Sequence, residues 1–332
     1  MKDRSADNIL STNRWTKVAL WTTGVVLLAF VILGIYFSRE PDIFWVNHSD
    51  DVDSAVVGVP TTDTLIRVAE TLLDKQGGYL TNDKMPPSVF LDNIPSWELG
   101  VVNQVRDLGR VMRDDYTRSQ SQSKEDPDVA KGAPQFFFDH NSWIFPATES
   151  EYRDGIKAFI DYRQRLIDGD PDTQFYARAD NLREWLSQVE KRLGSLTRRL
   201  GNSVVENRIN DDLAGDPSAE ASGIQRDTVN VRTGWFQVDN VFFEARGTAW
   251  ALVHFFRAAE FDFAHVLADK NAEASVRQII RELEASLEGL SSPMILNGSG
   301  YGLFANHSPV MANYLARANA AVINLRELLD QG

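Results

Sequence analysis

Five histidines, at positions 48, 140, 254, 265 and 307, and a large supply of carboxylates are the groups in this chain most able to do chemistry. None of the histidines forms an H-x-x-x-H or E-x-x-H pair, the spacings that place two ligands on one face of a helix. A metal site would therefore need ligands assembled from distant parts of the chain. Cysteine is absent, which removes disulfides, thiolate nucleophiles and Cys-based zinc sites together. No G-x-S-x-G nucleophile elbow occurs. The glycines Gly298, Gly300 and Gly302 resemble a phosphate loop only superficially. A helical pattern precedes them, their spacing departs from the dinucleotide fingerprint, and the stretch has no lysine. No cofactor and no metal is implied, and no catalytic residue is assigned. A pair of carboxylates acting on a glycosidic bond stays open by inventory, because spacing in sequence does not set separation in space.

Two kinds of interaction site can be read from the pattern. The first is a pair of aperiodic, apolar connections at 78–95 and 293–308. They hold Tyr79, Met85 and Phe90 in one and Tyr301 and Phe304 in the other. Regular helices would bury such side chains more simply, so these loops are candidate partner surfaces, although for 78–95 a loop packed against its own helices is the favoured reading. The second is a polar face on a very aromatic helix, made of Arg246, His254, Arg257 and Glu260. At 100° per residue these fall within about 120° of one another. Buried, that face would be a functional site. Solvated, with an Arg257–Glu260 i,i+3 pair, it would be an ordinary helix surface.

Seven helical stretches outside the apolar run position these residues. Apolar stripes at i, i+3, i+4 and i+7 mark helices over 62–76, from 96 to about 112, and over 148–167, 175–200, 239–267, 276–290 and 308–329. Gly77 and Gly78 stop the first. Thr148 and Glu151 have the spacing of a capping box. In the fourth, Leu182, Leu186, Val189, Leu193, Leu196 and Leu200 form an a/d seam. An intramolecular hairpin with the 148–167 helix is favoured over a coiled-coil dimer, so a homo-oligomer is the less favoured state. Residues 117–134 are polar and are expected to be a mobile loop. Residues 206–233 are a second polar segment, at which the helical region divides into two subdomains if it divides at all.

The strongest pattern lies upstream. Residues 18–37, bounded by Val18 and Phe37, contain no charge and no proline. At 1.5 Å per residue they span about 30 Å, the thickness of a bilayer core. Lys2, Arg4, Arg14 and Lys17 precede the run, against Asp3 and Asp7; after Arg39 come Glu40, Asp42, Asp50, Asp51 and Asp53. That asymmetry places 1–17 in the cytoplasm and the rest across the membrane. The run is longer than a signal-peptide core and lacks an A-x-A site, which favours an uncleaved anchor. Tyr36, Phe44 and Trp45 suit the far interface. Residues 38–60 would be a spacer and 61–330 the exported domain. The net charge of −13 argues against nucleic acid as a partner. The expected fold class is all-α: one transmembrane helix, then a multi-helix bundle with two long packed loops.

The strings GYLTNDKMPP, SWELGVVNQVRDL and FYARADNLREWLSQVEKRLGSLTRRL resemble the proteobacterial domain of unknown function 2333 family. The resemblance spans nearly the whole chain, the anchor included. It implies a Gram-negative inner-membrane protein with a periplasmic domain and transfers no catalytic residue. The expected function is an envelope interaction or scaffold module, held in the inner membrane through residues 18–37 and binding other envelope proteins. The alternative is a membrane-tethered cell-wall enzyme using carboxylates, which would show a carboxylate pair in an aromatic-lined cleft.

Overall fold

Absence of charge lets the apolar run continue as one helix, α1 (Arg4–Phe37). The computed structural model describes residues 4–46, 56–119, 124–203, 206–209, 228–231, 233–234, 237–290, 292, 294–297 and 305–331. Within α1, the 24 residues Arg14–Phe37 include an 18-residue window of mean hydropathy 2.5, long and apolar enough to cross a membrane. The other described helices are α2 (Val59–Asp74), α3 (Asn93–Val111), α4 (Pro127–Gln135), α5 (Thr148–Ile167), α6 (Ala179–Gly201), α7 (Val238–Asp262), α8 (Ala264–Asp269), α9 (Glu273–Ser286) and α10 (His307–Asp330). A short antiparallel ladder pairs β1 (Glu206–Ile209) with β2 (Thr228–Val231), Glu206 opposite Val231. The fold is all-α, with this ladder as a minor addition.

Helix α7 lies at the centre because almost every side of it is apolar. Phe242, Ala245, Ala249, Trp250, Leu252, Val253, Phe255 and Phe256 are all buried. It packs along α3, α2 and α9, and touches α6 and α10. The α3–α7 crossing is backbone to backbone. A Cβ on Gly247 would lie 2.0 Å from the Trp97 carbonyl oxygen, and one on Gly100 would lie 2.2 Å from the Glu244 oxygen. Trp97 and Trp250 then meet with ring centroids 5.2 Å apart.

Three expectations change. The α6 seam is buried within the chain, but its partner is α10 and not α5, which packs on α2 and α4. Residues 127–135, in the stretch expected to be a mobile loop, form α4. Asp126 caps it by accepting from the Asp128 and Val129 amides at 3.0 and 3.2 Å. Gly132 and Gly155 bring α4 and α5 into close contact, a tertiary gain that the polar local sequence does not advertise. The capping box does not form, because Thr148 Oγ1 donates instead to the carbonyls of Asp139 and Ser142, at 2.7 and 3.0 Å. At 206–233, residues 210–227 lie outside the described residues. Helices before and after that segment, α3 with α7 and α6 with α10, share one apolar core.

The two helix glycines Gly247 and Gly194 should respond oppositely to alanine. Gly247→Ala forces a methyl into the Trp97 backbone and should cost about 1–3 kcal/mol or more. Gly194 in α6 has its nearest neighbour, Asn319 Nδ2, at an ordinary 3.7 Å. Gly194→Ala should therefore stabilise by about 0.5–1 kcal/mol. Denaturant unfolding of the detergent-solubilised chain checks both signs.

Candidate functional site

Arg246, Trp250, His254 and Arg257 recur at i, i+4, i+8 and i+11, which lines them up on one face of α7. That face is not open to solvent. The segment that leaves α1, residues 39–46, lies across it as an extended strap.

Each strap contact has a distinct partner. Glu40 receives two-point donation from Arg246, Nε to Oε1 at 2.8 Å and Nη2 to Oε2 at 2.7 Å. Arg246 also reaches the carbonyls at and just past the end of α9: Ser286 and Glu288 at 3.3 and 3.1 Å through Nη1, and Leu287 at 3.2 Å through Nη2. A cation is favoured at that helix end. Trp250 Nε1 donates to the Asp42 carbonyl at 3.3 Å. The Phe44 ring stacks on His254 at 3.8 Å, and Arg67 of α2 covers it from 4.0 Å. Arg257 donates to the Phe44 carbonyl at 3.0 Å and pairs with Glu284 at 2.6 Å, rather than with Glu260. Phe44 is thus packed against the domain, whereas Trp45 stays exposed beneath the Arg257 guanidinium.

His254 is buried, and its tautomer follows from its partners. The Phe44 amide can only donate, at 3.1 Å, so Nε2 must carry the lone pair. The proton therefore sits on Nδ1, 2.6 Å from the Trp250 carbonyl. Burial pushes the imidazole down to about 3 against the opposing Trp250 bond, with Arg257 and Arg67 adding to the depression. Asp262 anchors the start of α2 by accepting from the amides of Gly58 and Thr61 at 2.7 and 2.8 Å, and burial raises it to about 6.

In the 78–95 loop, Tyr79 is buried while Met85 and Phe90 are exposed. Glu98 of α3 holds the loop by accepting from the Leu80 and Thr81 amides, both at 2.8 Å, and pairs with buried Lys75. Tyr301 and Phe304 lie outside the described residues. Among the described residues, no group of three or more His, Asp or Glu side chains could hold a metal ion. An open cleft of about 470 Å³ between strap and α2 is lined by Arg39, Glu40, Asp42, Arg67, Glu70 and Asp74, and among the described residues no aromatic side chain lines it. The strap partners Glu40, Asp42 and Phe44 were invisible as site residues in the sequence, where they read as spacer charge and an interface aromatic. The available signal was an arginine and a histidine within a mostly apolar, aromatic-rich helix.

These features define an all-α protein in which the one membrane-competent helix among the described residues is clamped to the folded domain by the strap. Residues 10–332 match the family described as an uncharacterized protein conserved in bacteria, DUF2333, and the chain belongs to that family. It matches no curated protein and no solved structure.

The His254 geometry sets a pH dependence. Unfolded imidazole takes a proton near pH 6.5, whereas the native group resists until about 3. The unfolded state therefore binds more protons in that window, and native stability falls as pH drops from 6.5 towards 3. By pH 5 the loss from this group should be about 2 kcal/mol. Asp262, raised by burial, contributes in the opposite sense. Wild type should be compared with His254→Gln in unfolding titrations from pH 7 to 5. The difference between them should shrink on acidification, and a pH-independent difference would contradict the assignment.

Proposed function

We propose that this protein is a single-pass inner-membrane protein whose periplasmic helical domain serves as an envelope interaction or scaffold module. The observation that carries the reading is the strap: α1 passes directly into a segment fixed by Arg246, Trp250, His254 and Arg257, so the domain is held at the membrane in one orientation. Such a fixed presentation suits a protein that offers a surface to partners. The basic residues before α1 and the acidic ones after it support an outward domain. Among the described residues, the strap–α2 cleft is lined by carboxylates and by no aromatic side chain, which favours this reading over a cell-wall hydrolase acting there.

The surface proposed for envelope proteins is a cleft of about 410 Å³ between α7, α9 and α10, lined by Phe242, Glu288, His307, Val310 and Tyr314 among others. It includes Ala305, Asn306 and His307 from the end of the 293–308 connection. Its mixture of apolar, aromatic and polar side chains suits a protein partner.

Two measurements test the proposal. A C-terminal alkaline phosphatase fusion should be active and a C-terminal green fluorescent protein fusion dark; bright cytoplasmic fluorescence would overturn the topology. A photo-crosslinking residue at exposed Val310 should capture envelope proteins in cells, while the same residue at Ile160 on α5 should not. Adducts equal at both positions would remove the cleft as the partner surface.

A further inference from the structure

Among the described residues, two loops of the domain each expose a group of apolar side chains. Met85 and Phe90 are 67% and 77% exposed, with Val89 between them also exposed. On the second loop Trp143, Ile144 and Phe145 are 51%, 55% and 92% exposed. The loops are tied into one surface. Tyr79 Oη donates to the His140 carbonyl at 2.9 Å, Asn82 Nδ2 to the Ser142 carbonyl at 2.8 Å, and Lys84 Nζ to Asn141 Oδ1 at 3.0 Å.

Their position is fixed by α1. Gly34 is buried, and a Cβ there would lie 3.8 Å from Leu91 Cδ2, next in sequence to Phe90. Phe37 lies over Gly77, at the base of the same loop. Gly34 sits three residues inside the end of the membrane-competent run, about 4.5 Å along the axis from Phe37. The loop therefore stands level with the last turn of the segment that crosses the bilayer. Phe145 adds a second observation. It has φ +49°, a left-handed conformation rare for a bulky residue, and that strained backbone presents an aromatic ring almost wholly outside the fold. Aromatic side chains at this level match the belts that Trp and other amphipathic rings form at membrane interfaces.

We propose that Met85, Val89, Phe90, Trp143, Ile144 and Phe145 form a second membrane contact that dips into the leaflet on the domain side. The partner is the lipid surface itself, engaged through apolar insertion rather than through headgroup charge. The domain is then held at two points, α1 and this patch, and lies against the bilayer with a defined face outward. This rests on α1 crossing the membrane, and the test separates the two claims.

The chain has no cysteine, so single-cysteine variants can be spin-labelled without background. Phe90→Cys, Phe145→Cys, Val26→Cys and Ile160→Cys are made in the full chain. Each is reconstituted in vesicles of phosphatidylethanolamine and phosphatidylglycerol. Val26 lies mid-span. Ile160 is exposed on α5 near Arg163, which pairs with Asp63 at the end of α2 remote from Gly77. Collisions with oxygen, which partitions into lipid, are compared with collisions with an aqueous nickel chelate. The ratio should be highest at Val26, several-fold above Ile160 at Phe90 and Phe145, and lowest at Ile160. Labels at Phe90 and Phe145 as aqueous as Ile160, with Val26 deep, would overturn the patch while leaving the anchor. Immobile labels closed to both reagents would mean packing against another protein copy and would overturn it too. An aqueous Val26 would remove the anchor reading and this proposal together.

Discussion

The approach of α3 and α7 through Gly100 and Gly247 is the constraint on which the rest depends. Neither position has room for a Cβ, since the facing carbonyl oxygens would lie 2.2 and 2.0 Å away. Two helices in backbone contact share their widest faces, and Trp97 and Trp250 fill the angle beside the crossing. With α3 on one side and α2 and α9 on others, α7 has few positions left for polar residues. Among those it keeps, Arg246, His254 and Arg257 lie on the face that receives the strap.

A pattern recurs in how the polar interior is used. Glu98, Asp262, His254, Arg246 and Thr148 are all buried, and each sits on a helix and holds irregular chain. Glu98 binds the amides that follow Tyr79, Asp262 those at the start of α2, and Thr148 the turn at 139–142. Arg165, partly buried on α5, gathers Asp126 and Asp128 beside the start of α4. Leaving a buried carboxylate or guanidinium unpaired is costly, so each of these groups fixes one loop conformation. The buried ionic residues thus serve registration of loops more than net stability, in keeping with the small net worth of buried ion pairs.

The strap makes the junction between α1 and the domain stiff. A spacer joined by chain alone would let the domain tumble. Here the Glu40–Arg246 pair, the Phe44–His254 stack and the Arg67 and Arg257 contacts act within seven residues of Phe37. The identity of that junction depends on a neutral imidazole, because a protonated His254 would present N–H to the Phe44 amide it now accepts from.

The sequence by itself determined the all-α class, the membrane-competent run, the apolar stripes of most helices and their family. These are local properties: an uncharged run of bilayer length, a 3.6-residue period, and long strings of matching residues. It also singled out Arg246, His254, Arg257 and Glu260 as a polar face on a very aromatic helix, of which the strap engages the first three. Tertiary structure alone decided what covers them. Glu40 and Phe44 lie about two hundred residues away in sequence, and no periodicity relates the two ends of such a contact. The same holds for α4, which exists because Gly132 meets α5, and for α6, whose seam chose α10 over its chain neighbour. An a/d stripe states that a helix must be covered, whereas the choice of cover depends on which surfaces fit together once the chain has folded.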